Sequence, residues 1–145
     1  MKLIRLPLLL CLAVFLALSC ASAPDTNPPI EVAARVAGPL FFGSGISSPA
    51  NIDVQITNKS AEVITVRTIR LSSPGMLEYG IRSAEKIVQQ DLAAGETRVF
   101  NVPATAIAST TTQPTEPLTI RADLYLVSNG KPYHQFINIR GVQYN

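Results

Sequence analysis

The chain has no tryptophan, one histidine and two cysteines, and only 15% of its 145 residues are charged. Each scarcity excludes something. With His134 as the one histidine and cysteines only at 11 and 20, the residues do not supply a four-ligand zinc centre, and no metal or cofactor is expected. Two cysteines are too few for a disulfide-dense scaffold, and the composition fits neither a coiled coil nor a collagen-like repeat. An excess of one charge is missing as well. Lys2 and Arg5 account for the formal net charge of +2; setting them aside takes the basic count from 12 to 10, level with the 10 acidic residues. Such a balance offers nucleic acid no basic footprint, so no nucleic-acid partner is expected.

What the chain has in quantity is hydrophobic character, 47% of residues, and much of it lies at the start. Residues 1–20 read MKLIRLPLLLCLAVFLALSC, with Lys2 and Arg5 ahead of an apolar stretch over residues 6–18 that only Pro7 interrupts. About 13 residues at ~1.5 Å each reach ~20 Å as a helix, short of the ~30 Å hydrocarbon core. An export signal fits better than a spanning helix. Cleavage after Ala21-Ser22-Ala23 would leave Pro24 at the new terminus, where proline makes a poor substrate. The alternative, Leu16-Ala17-Leu18-Ser19-Cys20, resembles a bacterial lipobox: apolar residues, a small residue, then cysteine, although Ala17 stands where leucine is preferred. The resemblance implies that residues 1–19 are removed as a lipoprotein signal peptide and that Cys20 becomes a diacylglyceryl-cysteine anchor. Cysteine arithmetic agrees. Cys11 leaves with the signal, and a sole unpaired thiol is odd in an exported chain unless it is modified. Two acyl chains give a stable membrane anchor. In Gram-negative lipoproteins an aspartate after the lipidated cysteine retains the protein at the inner membrane; Ala21 in that place implies the outer membrane, facing the periplasm.

Residues 21–29, ASAPDTNPP, contain three prolines and too little apolar surface to fold. At ~3.1 Å per residue they make a semi-rigid tether of roughly 28 Å. The plan is therefore a signal peptide over residues 1–19, a lipidated cysteine and tether over 20–29, and a domain over 30–145. In that domain, period-2 alternation replaces any helical period. Residues 51–57, NIDVQIT, put Ile52, Val54 and Ile56 on one face. Residues 118–126, LTIRADLYL, alternate without a break, with Leu118, Ile120, Ala122, Leu124 and Leu126 inward and Thr119, Arg121, Asp123 and Tyr125 outward. Asn129-Gly130 is the preferred type I′ pair, so residues 133–140 are expected to return antiparallel, with Val127 opposite Pro132. In EVITVRTIRL, residues 62–71, Ile64 and Val66 share one phase and Ile69 and Leu71 the other; a bulge near Arg67-Thr68 reconciles them. Further strands are expected at 31–36, 77–81, 85–92 and 97–102, with a patternless connection over 103–117. About seven or eight one-faced strands joined by short turns predict an all-β, antiparallel two-sheet sandwich.

Three segments carry a resemblance to bacterial exported immunoglobulin-like domains: Val54-Gln55-Ile56-Thr57-Asn58-Lys59-Ser60, Leu92-Ala93-Ala94-Gly95-Glu96-Thr97, and the hairpin from Tyr125 to Tyr133. The late-embryogenesis-abundant type 2 group, a sandwich also found in bacterial lipoproteins, has a similar order of parts. The resemblance implies the fold and an adhesion, assembly or scaffold role; it carries over no site residues.

No catalytic set is found, and the chain is not expected to be an enzyme. His134 sits at the start of a hairpin strand, facing solvent; Asp123 would meet it only if the register slipped by a residue. Phe41 and Phe42, adjacent in the glycine-rich GPLFFGSG, and Arg121 and Tyr125, on the outer face of the clearest strand, are the candidate partner-binding residues. The expected role is a non-enzymatic interaction or structural module with a protein partner in the cell envelope; the alternative is a carrier holding a small apolar or sugar ligand between its sheets. For the anchor, Cys20→Ala is expected to abolish labelled-palmitate incorporation and release the chain from the membrane fraction. Incorporation surviving the substitution, or a mature chain beginning at Pro24, would refute the lipobox assignment.

Overall fold

The computed structural model describes residues 27–40, 42, 46–74, 79–108 and 118–142. Residues 1–26, which hold the expected signal peptide, Cys20 and most of the expected tether, lie outside the described residues, as do Phe41 and residues 109–117. Eight strands follow in order: β1 Ile30–Val36, β2 Ser47–Asn58, β3 Ile64–Ser72, β4 Tyr79–Arg82, β5 Ala84–Leu92, β6 Thr97–Ala108, β7 Leu118–Ser128 and β8 Lys131–Val142. They form two antiparallel four-stranded sheets, β1-β2-β6-β4 and β5-β3-β7-β8, packed as a sandwich.

The core is built from the alternating apolar positions. Ile52, Val54 and Ile56 of β2 and Phe100 and Val102 of β6 face Ile64, Val66, Ile69 and Leu71 of β3 and the inward series of β7. The ladders of β3 with β5 and with β7 both shift between Val66 and Thr68, where the phase of the sequence changes. The β7–β8 hairpin closes at Asn129 (φ 51°) and Gly130 (φ 74°), both left-handed, with Val127 opposite Pro132.

Two boundaries differ from expectation by several residues: β2 begins at Ser47 rather than Asn51, and β6 runs beyond its expected end. The sequence places the end of β6 at Val102, but the strand continues to Ala108. Its inward residues there are Ala106 and Ala108, too small to register as an apolar series. Two strand-interior prolines concealed the rest. β1 pairs with β2 only as far as Ile52, and β4 with β6 only as far as Thr105. Pro49 and Pro103 therefore lie where the strand has a ladder neighbour on one side only, the setting in which a missing N–H does no harm.

The two ends of the sandwich differ. At one, two chain segments cross between sheets, β2 to β3 and β5 to β6, and Asn58 ties them together. Its side chain is fully buried. Nδ2 donates to the carbonyls of Glu62 (2.6 Å), Leu92 (3.0 Å) and Ala93 (3.1 Å). Oδ1 accepts from the Ser60 amide (2.9 Å) and hydroxyl (2.7 Å), an Asx turn. Its main chain bonds Glu96 and Gly95, each at 2.9 Å. The Asn-x-Ser and Leu-x-x-Gly-Glu segments are thus halves of one clasp. Gly95 holds φ 75° there, and the Ala93 amide donates to the Glu96 carboxylate (2.8 Å). That bond first, and Arg98 second, hold the Glu96 carboxyl below its ordinary value. Pro29 joins this end too, accepting from the Lys59 amide (2.9 Å), so the chain enters the sandwich at the clasp. At the far end the Ser73 hydroxyl accepts from the Ile81 amide (2.8 Å), an approach that a Cβ at Gly80 would obstruct.

Asn58→Ala leaves several buried groups unpaired and is expected to cost about 3 kcal/mol. Denaturant melts check this, with Gln55→Ala, an exposed residue of the same strand, expected to cost less than ~0.5 kcal/mol.

Candidate functional site

The outer face of β5-β3-β7-β8 collects most of the exposed aromatic and arginine side chains that are ordered by one another. β7 makes this possible because its two faces differ completely: five apolar residues fill the core while Arg121, Asp123 and Tyr125 point the other way. Antiparallel register then sets their neighbours. Asp123 lies opposite Arg70 of β3 and Phe136 of β8; Tyr125 lies opposite Thr68 and His134; Arg121 lies opposite Asn138.

The contacts form a continuous chain across the strands. Glu85 on β5 holds Arg70, whose Nε and Nη2 both donate to Oε2 (2.9 and 2.6 Å). The Arg70 guanidinium sits 5.7 Å from the Tyr125 ring centroid. Tyr125 stacks on His134 at 4.6 Å with 15° between the planes. His134 Nε2 lies 3.2 Å from Asp123 Oδ1. Arg121 grips the same carboxylate through Nη2 (3.0 Å) and Nε (3.1 Å to Oδ2), and its guanidinium covers the Phe136 ring at 4.5 Å. Cation–π and stacked contacts of this kind fix rotamers that a solvated face leaves mobile. Two apolar side chains remain exposed on the face, Phe136 at 57% and Ile87 at 70%.

Asp123 is the electrostatic centre of the chain. Burial pushes its carboxyl up, but the hydrogen bond and charge of Arg121, and then those of His134, outweigh burial and hold it below the ordinary 3.8. A lowered carboxylate contributes stability that is present above that ordinary value and is lost as the pH falls through the lower folded value. The Asp123–His134 pair needs no slipped register. His134 pairs with Tyr125, and the contact to Asp123 is the diagonal one on the same face.

Of the residues singled out from sequence, Arg121 and Tyr125 belong to this face, joined through Asp123 and His134. Phe42 does not: it is 5% exposed and packs edge-on against Tyr79, ring centroids 5.9 Å apart, so its ring is part of the core. Phe41 and Cys20 lie outside the described residues. Sequence reasoning missed Phe136, Arg70 and Ile87. The hairpin register already implied that Phe136 faces outward opposite Asp123; Arg70 could be put on the outer side by the phase of Ile69 and Leu71, but the pairing of β3 with β5 and β7, which brings Arg70 and Ile87 onto this face, could not be read from the sequence. Among the described residues, no group of three histidine, cysteine, aspartate or glutamate side chains is placed to hold a metal ion.

No family model matches the chain, and no curated protein matches it. Solved structures do. A structural-genomics target, SoR45, superposes with a TM-score of 0.51 at 11% identity, covering 79% of this chain and 85% of its own. A Bordetella pertussis protein with the provisional name ApaA gives a TM-score of 0.49 at 19% identity, covering 79% of this chain and 92% of its own. At such identities the first likeness shows the fold alone.

Arg121→Ala is expected to raise the Asp123 titration midpoint, since burial then acts with less opposition, and His134→Ala to raise it by less. Carboxyl-carbon NMR titration of the three chains checks the order; a midpoint unmoved by Arg121→Ala would refute the account.

Proposed function

We propose that this chain is an envelope lipoprotein, anchored by a diacylglyceryl group on Cys20 to the outer membrane and facing the periplasm. In this reading its immunoglobulin-like sandwich, of the late-embryogenesis-abundant type 2 kind, is a non-enzymatic module that binds another envelope protein. The observation that carries the binding role is the ordered chain of Arg70, Tyr125, His134, Asp123, Arg121 and Phe136 on one sheet face. Arginine and aromatic residues dominate the energetics of protein interfaces. Here they are held in place before any partner arrives, so less side-chain freedom is lost on docking.

The tether supports the same reading. The chain enters the sandwich at the clasp, where Lys59 also pairs with Glu31 (2.8 Å). A tether of roughly 28 Å then lifts that end off the membrane. Phe136 stands five residues along β8 from the clasp end, some 17 Å further out at ~3.4 Å per residue. The face is thus presented sideways, clear of headgroups and within reach of a protein embedded in or resting on the same membrane.

The test is site-specific photo-crosslinking in the native envelope. A photoreactive residue at Phe136 is expected to trap one protein species, and the same group at Gln55, on the opposite sheet, is expected to trap little. Combining the Phe136 probe with Arg121→Glu and Tyr125→Ala is expected to cut the yield at least tenfold. Equal yields from the two positions, or a yield indifferent to those substitutions, would refute the role of this face.

A further inference from the structure

We propose that Asn129, at the tip of the β7–β8 hairpin, is a site of spontaneous deamidation that Glu62 holds latched. Its conversion to aspartate or isoaspartate releases the tip from the clasp. Asparagine is among the thermolabile residues of a folded chain, and its reactivity depends on how freely the next main-chain nitrogen can approach its side chain. Asn51, Asn101 and Asn138 precede Ile52, Val102 and Ile139, whose branched side chains crowd that nitrogen. Asn27 precedes Pro28, which has no N–H to lose. Asn58 is fully buried, and both polar atoms of its amide are committed within the clasp. Of the asparagines in the sequence only Asn129 is followed by glycine, and both residues are exposed.

The reaction needs no partner but water. The Gly130 nitrogen attacks Cγ of Asn129. An N–Cγ bond forms and the Cγ–Nδ2 bond breaks; the proton from the Gly130 nitrogen joins Nδ2, which departs as ammonia. Water then opens the resulting imide, its hydroxyl going to the carbonyl carbon and its proton to the nitrogen. Cleavage of the new N–Cγ bond leaves aspartate. Cleavage of the original peptide bond leaves isoaspartate, in which the main chain runs through Cβ and Cγ. The closed turn forbids the first step. Asn129 at φ 51° is the first residue of a type I′ pair, for which ψ is about +30°. That setting turns the Gly130 nitrogen to the far side of the Cα–C bond from Cβ, out of reach of Cγ. Ring closure proceeds only when the tip has left the turn, so its rate follows local opening.

Opening is opposed from the clasp. Asn129 Nδ2 donates to Glu62 Oε2. The clasp fixes the main chain of Glu62 in turn: its carbonyl accepts from Asn58 Nδ2 (2.6 Å) and its amide donates to the Ser60 hydroxyl (3.3 Å). The latch is thus made by the very amide that leaves, and deamidation destroys what delays it. The product carboxylate then stands beside that of Glu62, like charges where a donor met an acceptor. Isoaspartate goes further. It puts one extra main-chain carbon into a two-residue turn that closes on Ser128 and Lys131. The register that follows from this turn sets His134 beside Tyr125 and Asp123. The tip therefore records the age of the chain and passes it to the outer face.

The experiment ages the purified full chain in mildly alkaline buffer and follows Asn129 by mass spectrometry, with aspartate and isoaspartate products separated by chromatography. A peptide of residues 124–135 reports the rate without the fold. The chain is expected to convert at least tenfold more slowly than the peptide. Glu62→Ala is expected to speed conversion in the chain at least threefold, while Glu62→Gln, which keeps an acceptor, stays within about twofold of the original. Equal rates in chain and peptide would overturn the conformational gate, and a rate indifferent to Glu62→Ala would overturn the latch. No conversion in the Glu62→Ala chain by the time the peptide has fully reacted would overturn the site itself. Hydrogen exchange reads the release. Asn129→Asp is expected to speed exchange over residues 126–133 at least threefold. Adding Glu62→Gln removes the like charge and is expected to restore most of the protection. Exchange unchanged by Asn129→Asp, or not restored by Glu62→Gln, would overturn release of the tip.

Discussion

Asn58 places an amide, with two donor hydrogens and an acceptor oxygen, where water does not reach it, and two stretches of chain, residues 60–62 and 92–93, have to converge to satisfy it. An unpaired amide in that position costs several kcal/mol, so the crossing from β2 to β3 and the crossing from β5 to β6 are stable only in each other's presence. One crossing carries the chain from the first sheet to the second and the other brings it back. Fixing both at one point fixes where β3 begins relative to β2 and where β6 begins relative to β5. The hydroxyl pair of Thr57 and Thr97 (2.8 Å) extends the same tie by one rung along β2 and β6. The Asn129 side chain, at the tip of the hairpin, donates to the Glu62 carboxylate and brings β7 and β8 to the same end. The layers therefore meet in one register, and the outer face inherits its geometry from that.

Much of this was legible in the sequence, and the reasons are specific. Residues 118–126 alternate between large apolar and polar side chains, so period and face could be read together. Asn129-Gly130 has a backbone requirement that few other pairs meet, and the strand phase change at Arg67-Thr68 was visible as a shift in the apolar series. The end of β6 was not legible, because alanine at 106 and 108 gives a weak apolar signal and prolines at 49 and 103 read as breaks unless the ends of the neighbouring strands are known. Phe41 and Phe42 could be split between inside and outside by parity, but parity does not say which is which.

The candidate site was legible by halves. Arg121 and Tyr125 follow from alternation within one strand. Their partners do not, since His134 meets Asp123 on a diagonal and Arg121 reaches Phe136 from above the ring, and both contacts depend on sheet twist and side-chain reach rather than on position in the chain. A central strand is the right place for such residues. β7 is flanked on both sides and packed beneath by fully buried leucine and isoleucine, so the outer face rests on a well-supported central strand.

The contrast between the two ends of the sandwich also governs how the chain can change in length over evolution. The connections at the clasp are closed by a web of bonds whose partners are spaced to the residue; an insertion within residues 93–96 would pull Gly95 and Glu96 off Asn58 and forfeit several bonds together. At the opposite end, β6 and β7 are joined by residues 109–117, and lengthening a join between strands is opposed mainly by chain entropy. Doubling such a join costs only about 0.6 kcal/mol. Descendants of this chain are thus free to grow at the end remote from the clasp, where added segments would project outward without disturbing either sheet, while the clasp end is held to a constant length.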